Sequence, residues 1–285
     1  MTAAARHPLR IGLKPGAQDI TVEELRAVWR VADEAGFDHL WDYDHFQSFG
    51  PRGTARPIFE GWTLLAAMAE ATERVRVGCL VTGNTYRHPA VLAKMAVTVD
   101  HLSGGRLEFG LGAAWAEHEH VGLGIDGLAH RVGLLSESLQ ILNALWTQER
   151  TTFGGRYHRL RDAVSEPKPL QRPRPPVWIG GGGEQVLRLV ARHADVWTAT
   201  YRAGAETAER LAEACAAIGR DPAEIRHASE CAWDGESVDQ LVETCGRAVE
   251  ASFTELVITL YRPSAAPEMA HRVAEALPDL RRLGA

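Results

Sequence analysis

The chain has 285 residues, 45% of them hydrophobic and 24% charged, with a formal net charge of −6. A mildly acidic chain without a basic block is a poor electrostatic partner for nucleic acid or an anionic membrane surface. No apolar run approaches the ~20 residues that span a bilayer, and Met1 to Arg10 hold no apolar segment resembling a signal peptide, so the expectation is a soluble cytoplasmic protein.

The pattern alternates strand and helix from end to end. Leu9 to Leu13 reads as the first strand. Thr21 and Glu24 form a capping box, and Leu25, Val28, Trp29 and Ala32 give the helix an apolar face until Gly36 stops it. Strand two covers Asp38 to Tyr43, then come a polar loop and a helix over Gly61 to Thr72. Strand three runs from Val75 to Val81, followed by a helix from Pro89 to Leu102. Strand four spans Arg106 to Gly112, and its helix Arg131 to Trp146.

Residues 151–165 form a small insertion, with Thr151 to Val164 read as a hairpin around Gly154 and Gly155. After a proline-rich stretch, Val177 to Gly180 is strand five and Glu184 to His193 its helix. Asp195 to Thr198 and Glu206 to Ile218 make the sixth pair. Arg226 to Trp233 and Ser237 to Ala251 make the seventh, with a second capping box at Ser237 and Gln240. Leu256 to Leu260 and Pro267 to Leu283 complete the eighth.

Eight strand–helix pairs match a closed (β/α)8 TIM barrel, a fold of ~250 residues, as one domain over 1–285. A doubly wound sheet competes, but it wants a G-x-G-x-x-G turn after strand one, where this chain has Gly12-Leu13-Lys14-Pro15-Gly16. Cys79, Cys215, Cys231 and Cys245 lack CxxC spacing and read as buried free thiols.

Barrel active sites lie at the C-terminal ends of the strands. Asp44 and His45 follow strand two, and Thr82, Gly83 and Asn84 follow strand three. Ala113 to His120 follow strand four as a dense polar and aromatic loop, and Gly180 to Glu184 follow strand five. An imidazole such as His45 titrates near neutral pH and suits proton transfer. It need not touch Asp44, because neighbouring side chains on a strand point opposite ways. Four glycines before a helix let backbone N–H groups converge on a phosphate, although Glu184 competes slightly for that positive end. His118, Glu119 and His120 with Asp44 and His45 invite a metal reading, but the His-x-His pair of a barrel hydrolase is missing from strand one. No metal site is expected.

Together these segments resemble the luciferase-like monooxygenase superfamily, in its branch of coenzyme F420-dependent oxidoreductases. The resemblance is carried by Trp41 to Phe46, Gly78 with Thr85 to Pro89, Ser103 to Arg106, Gly110 to Trp115 with Glu117 to Glu119, Pro167 to Gln171, and Trp178 to Glu184 with Ala194-Asp195. It implies a non-prolyl cis peptide bulge at Leu80–Val81 beneath the deazaflavin, with Thr82, Gly83 and Ala113 nearby. It also implies that Asp44 contacts the cofactor, that Gly181, Gly182 and Gly183 with Glu184 take its phosphodiester, and that His118 stands where relatives have a cofactor-contacting asparagine.

A sugar-phosphate dehydrogenase branch shares Asp44 to Gln47, and its histidine is helped by a tryptophan and a glutamate. Those positions are Phe49 and Trp115 here, which argues against glucose 6-phosphate as substrate. The expectation is a hydride-transfer enzyme in which His45 moves the proton, Glu117 and Glu119 are secondary acid/base candidates, and Trp115 walls the substrate side. The substrate is a small organic molecule bearing C=C, C=N or carbonyl/alcohol, and relatives suggest a homodimer. An FMN-dependent monooxygenase, a non-catalytic cofactor-binding barrel and a metal-dependent hydrolase are the competing readings.

Overall fold

The computed structural model describes residues 7–284, so the expectation for the first six residues lies outside the described part. Eight parallel strands close into a barrel: β1 (Arg10–Lys14), β2 (His39–Asp42), β3 (Arg76–Gly83), β4 (Leu107–Gly112), β7 (Val177–Gly180), β8 (Val196–Thr198), β9 (Arg226–Trp233) and β10 (Glu255–Leu260). Strands β5 (Thr151–Gly154) and β6 (Arg159–Ala163) are the expected hairpin, set apart from the barrel as an antiparallel pair. Among the described residues, no helix is long and apolar enough to cross a membrane.

Helices α1 (Val22–Ala35), α2 (Gly61–Glu70), α3 (Pro89–Leu102), α5 (Arg131–Thr147), α6 (Glu184–His193), α7 (Gly204–Ala216), α8 (Val238–Glu250) and α9 (Ala266–Arg282) surround it. Local chemistry explains their ends. Thr21 caps α1 reciprocally with Glu24, and Gly36 ends it in a left-handed conformation at φ 79°. At α8 only half of the expected box is present, with the Gln240 amide donating to the Ser237 hydroxyl. One element departs from expectation: Glu117 to Leu123, read as loop, is a short helix, α4, over the barrel mouth.

Two apolar layers hold the fold. The larger lies between strands and helices and contains Trp29, Trp146 and Trp197. The smaller fills the barrel itself, with Trp41, Leu80, Trp178, Val196, Ala228 and Val257. Burial of a side chain of this size stabilises by about 1.5–3 kcal/mol. All four cysteines are buried free thiols.

Strand β3 runs two residues further than expected, so Thr82 and Gly83 belong to it. The Leu80–Val81 peptide is cis, and the register with β4 skips between Cys79 and Thr82. Gly110 and Gly112 on β4 make room for this bulge. A Cβ at Gly110 would lie 2.1 Å from the Cys79 carbonyl oxygen, and one at Gly112 2.6 Å from Val81 Cγ2. The Gly-x-Gly of β4 is therefore required by the shape of its neighbour.

Candidate active site

Beyond the end of β2 the chain leaves the barrel through Tyr43, Asp44 and His45, and the last two turn to different partners. Asp44 is bound by both guanidinium nitrogens of Arg87, at 2.6 and 2.9 Å, and accepts from the Gly83 amide at 3.3 Å. Arg87 also grips Glu60, the N-cap of α2. His45 Nδ1 lies 3.1 Å from both carboxylate oxygens of Glu119.

Glu119 is fully buried and sits on the inner face of α4. Burial pushes its carboxyl up, but the His45 ring, the Tyr86 hydroxyl and the Gln47 amide outweigh that effect and hold it at about 2. The Phe46 amide adds a bond of 3.0 Å. A carboxylate so held is ionised and accepting only, so His45 Nδ1 carries a proton. Nε2, the ring nitrogen without a protein partner among the described residues, is left for chemistry in the cavity that His45 lines. Burial, followed by the bond to Glu119, raises the Tyr86 hydroxyl and keeps it a donor.

That cavity has a volume of about 880 Å³ and opens at the C-terminal end of the barrel. Phe49 and Trp115 stand around the His45 ring, with centroids 4.5 and 5.3 Å away. Its floor includes the cis pair Leu80 and Val81, then Thr82, Gly83 and Ala113. Thr82 is anchored by the Trp62 indole N–H at 3.1 Å. On the far side Gly181, Gly183 and Glu184 line it, where Gly181 has a φ of 124° and Gly183 caps α6 with no side-chain acceptor on the helix amides. Glu184 is exposed and turns to Arg188, one helical turn on, so it competes little for that positive end.

Three of the expected site residues lie apart from the main cavity. Glu117 is exposed on α4 and faces a separate surface hollow, not His45. His118 does not line the cavity; its Nε2 is buried without a partner. Gly182 faces an adjoining cavity of about 700 Å³ that shares Leu80, Val81, Gly180 and Gly181 with the first. Asp44 does line the main cavity, yet its oxygens are held by Arg87 and Gly83, so it fixes the turn after β3.

The carboxylate partner of His45 is Glu119, which the sequence marks only as a secondary candidate. Reading Glu117 to Leu123 as a helix would have put Glu117 and Glu119, two residues apart, on different faces. Tyr86, Arg87, Lys14 and Glu230 carried no assigned role. Tyr86 and Arg87 lie within the Thr85 to Pro89 stretch that carries the resemblance, whereas no local pattern marks Lys14 or Glu230.

A luciferase-like monooxygenase family model matches residues 1–259. An F420-dependent glucose-6-phosphate dehydrogenase of Intrasporangium calvum is 35% identical over 204 residues, which cover 70% of this chain and 60% of that enzyme. The enzyme of the same name from Kineococcus radiotolerans is 30% identical over 280 residues, covering 95% of this chain and 81% of that one. The first of these matches thus spans less than two thirds of the relative's length.

Among solved structures, an F420-dependent secondary alcohol dehydrogenase in complex with an F420-acetone adduct superposes with a TM-score of 0.83 at 18% identity, covering 96% of this chain and 99% of that one. A coenzyme F420-dependent tetrahydromethanopterin reductase from Methanopyrus kandleri gives 0.79 at 15%, covering 96% and 100%. At such identities the likeness is one of fold. The family match over most of the chain is what identifies it, and the chain belongs to the luciferase-like monooxygenase family.

Proposed function

We propose that this chain is an F420-dependent oxidoreductase that exchanges a hydride between the deazaflavin coenzyme and a small organic substrate bearing a C=C, C=N or carbonyl/alcohol group. The observation that carries the reading is one cavity that joins the His45–Glu119 pair, the cis Leu80–Val81 bulge and the uncapped start of α6. The relatives named for F420 dependence support it.

The residues present fit such a coenzyme. Among the described residues the first amides of α6, from Gly183, Glu184 and Gln185, have no side-chain cap and suit a phosphodiester, beside Gly181 of the same cavity. Leu80, Val81, Thr82, Gly83 and Ala113 offer an apolar and backbone surface for a ring, while Asp44 steadies it through Gly83. When bound, the deazaflavin supplies the hydride exchange.

The protein's part is proton handling and positioning. His45 delivers or takes a proton at Nε2, Glu119 fixes the ring and its tautomer through Nδ1, and Phe49 and Trp115 keep water from the reacting face. The substrate named for the relatives fits less well. Phe49 and Trp115 occupy the positions where the sugar-phosphate branch is expected to use a tryptophan and a glutamate.

Titration of the purified protein with F420 and with FMN, followed by fluorescence, tests the reading. Tight binding of F420 alone is expected; preference for FMN with oxygen uptake on adding reduced FMN would favour a monooxygenase. Binding of F420 without turnover on a panel of enones, imines and ketones would leave a non-catalytic barrel. The same proposal carries a cytoplasmic location and a homodimer, to be checked by fractionation and light scattering.

A further inference from the structure

The wall of the main cavity contains an ion pair that the proton chemistry above does not use. Lys14, the last residue of β1, is only 6% exposed and pairs with Glu230 of β9. Thr259 of β10 donates its hydroxyl to the same Glu230 oxygen at 3.1 Å. Lys14 lines the main cavity together with His45, and Glu230 lines both this cavity and its neighbour.

Stability does not account for the pair. With Lys14 buried and Glu230 half-exposed, desolvation of the ammonium offsets the attraction and solvent screens the carboxylate, so the pair adds little to stability. An ammonium has three donors and no acceptor. Among the described residues Glu230 is the one hydrogen-bond partner of Lys14, which leaves donors for something in the cavity. Glu230, 41% exposed and held by Thr259, fixes the ammonium in place and cancels its charge.

We infer that Lys14 is the substrate's polar anchor, donating to a neutral oxygen of an uncharged carbonyl or alcohol compound, and that Glu230 sets this preference by rejecting anions. This deepens the proposed function, since it rests on the cavity being a substrate site. The surroundings favour a neutral ligand. Among the described residues the one other lysine or arginine lining the cavity is Arg131, exposed at the start of α5; the lining carboxylates Asp44 and Glu184 are already paired with Arg87 and Arg188, and Phe49 and Trp115 supply apolar walls.

The test uses two probes of one shape, benzamide and benzoate, titrated by saturation-transfer NMR into the protein alone and into the protein with F420 added. Wild type is expected to prefer benzamide, and K14M to weaken it about tenfold, the scale of one hydrogen bond to a charged donor. In E230Q the preference should turn to benzoate, and K14M/E230Q should lose that gain. K14M leaves behind a carboxylate that already meets solvent, and E230Q keeps an acceptor for Lys14 and Thr259, so the two variants fail independently if either does not fold. Unchanged benzamide binding in K14M, an unchanged preference in E230Q, or no binding of either probe to wild type would overturn the inference. Because the arm without F420 stands alone, failure of F420 to bind sinks the proposed function and not this one.

Discussion

The two ends of the barrel use the same side-chain types to opposite effect. At the N-terminal end the first residues of the strands form a closed network. Glu255 is paired with Arg10, Arg226 and His39, and Glu108 with Arg76 and Arg10. The Trp41 indole donates to His39 Nδ1 at 2.6 Å and the Trp178 indole to Glu108 at 2.7 Å, which seals the network under the apolar layer. At the C-terminal end pairs are also formed, but each leaves a valence over. His45 keeps Nε2, Lys14 keeps donors, and the start of α6 keeps its amides. Saturated polar groups make a plug, and partly saturated ones around a cavity make a site.

Breaking one group at each end should separate the two roles. His45→Ala is expected to lower turnover by ~10²–10⁴-fold while F420 binding persists. Steady-state kinetics beside a fluorescence titration check it; lost affinity with normal turnover at saturation would exclude the proton-transfer role. Glu255→Ala is the counterpart. It leaves Arg10, Arg226 and His39 facing an empty place, and destabilisation of about 3–5 kcal/mol is expected by denaturant unfolding. Per folded molecule, F420 affinity should be as in wild type. A change in affinity without a change in stability would erase the distinction between the ends.

Glu119 links the two roles, because it is both buried and part of the site. Its carboxyl is held at about 2 in the fold against an ordinary 4.5. A depressed folded value stabilises above the unfolded value, and that contribution is lost as pH falls from about 4.5 towards 2. At neutral pH it is worth about 3 kcal/mol. Glu119→Gln should therefore lower stability at pH 7 and narrow its gap from wild type as the pH approaches 3, measured by denaturant melts across that range. A gap independent of pH would mean that the carboxylate is not the charged keystone of α4.

The contrast also marks how much the sequence could disclose. Strand and helix positions were legible because apolar runs of period 2 and 3.6 recur eight times with caps between them; α3, β7, α6 and β9 fall on the expected residues. The sequence allowed Asp44 and His45 to part, and their separate partners, Arg87 and Glu119, come from the segments that follow β3 and β4. The Leu80–Val81 cis bond came only through resemblance, since nothing in a Val-Gly-Cys-Leu-Val run distinguishes it. The seven-residue α4 was too short, and too rich in His and Glu, to show an apolar stripe, so Glu119 was underrated. Pairs such as Lys14 with Glu230, 216 positions apart, arise from barrel closure and leave no local trace.

The smallest expected effect concerns the amides that α6 leaves open. Gly183 has φ −69° and ψ 145°, an ordinary conformation, and a Cβ there would meet nothing within 4 Å. Gly183→Ala should keep F420 affinity within about twofold, since backbone donors and space are both retained. Gly183→Pro suits the same φ but removes the N–H. Loss of one charge-assisted bond at the helix start should then weaken F420 about fivefold to tenfold, with the melting temperature near that of wild type. If alanine and proline behave alike, the glycines serve chain geometry rather than the phosphate, and the C-terminal end would owe its anion preference to side chains instead.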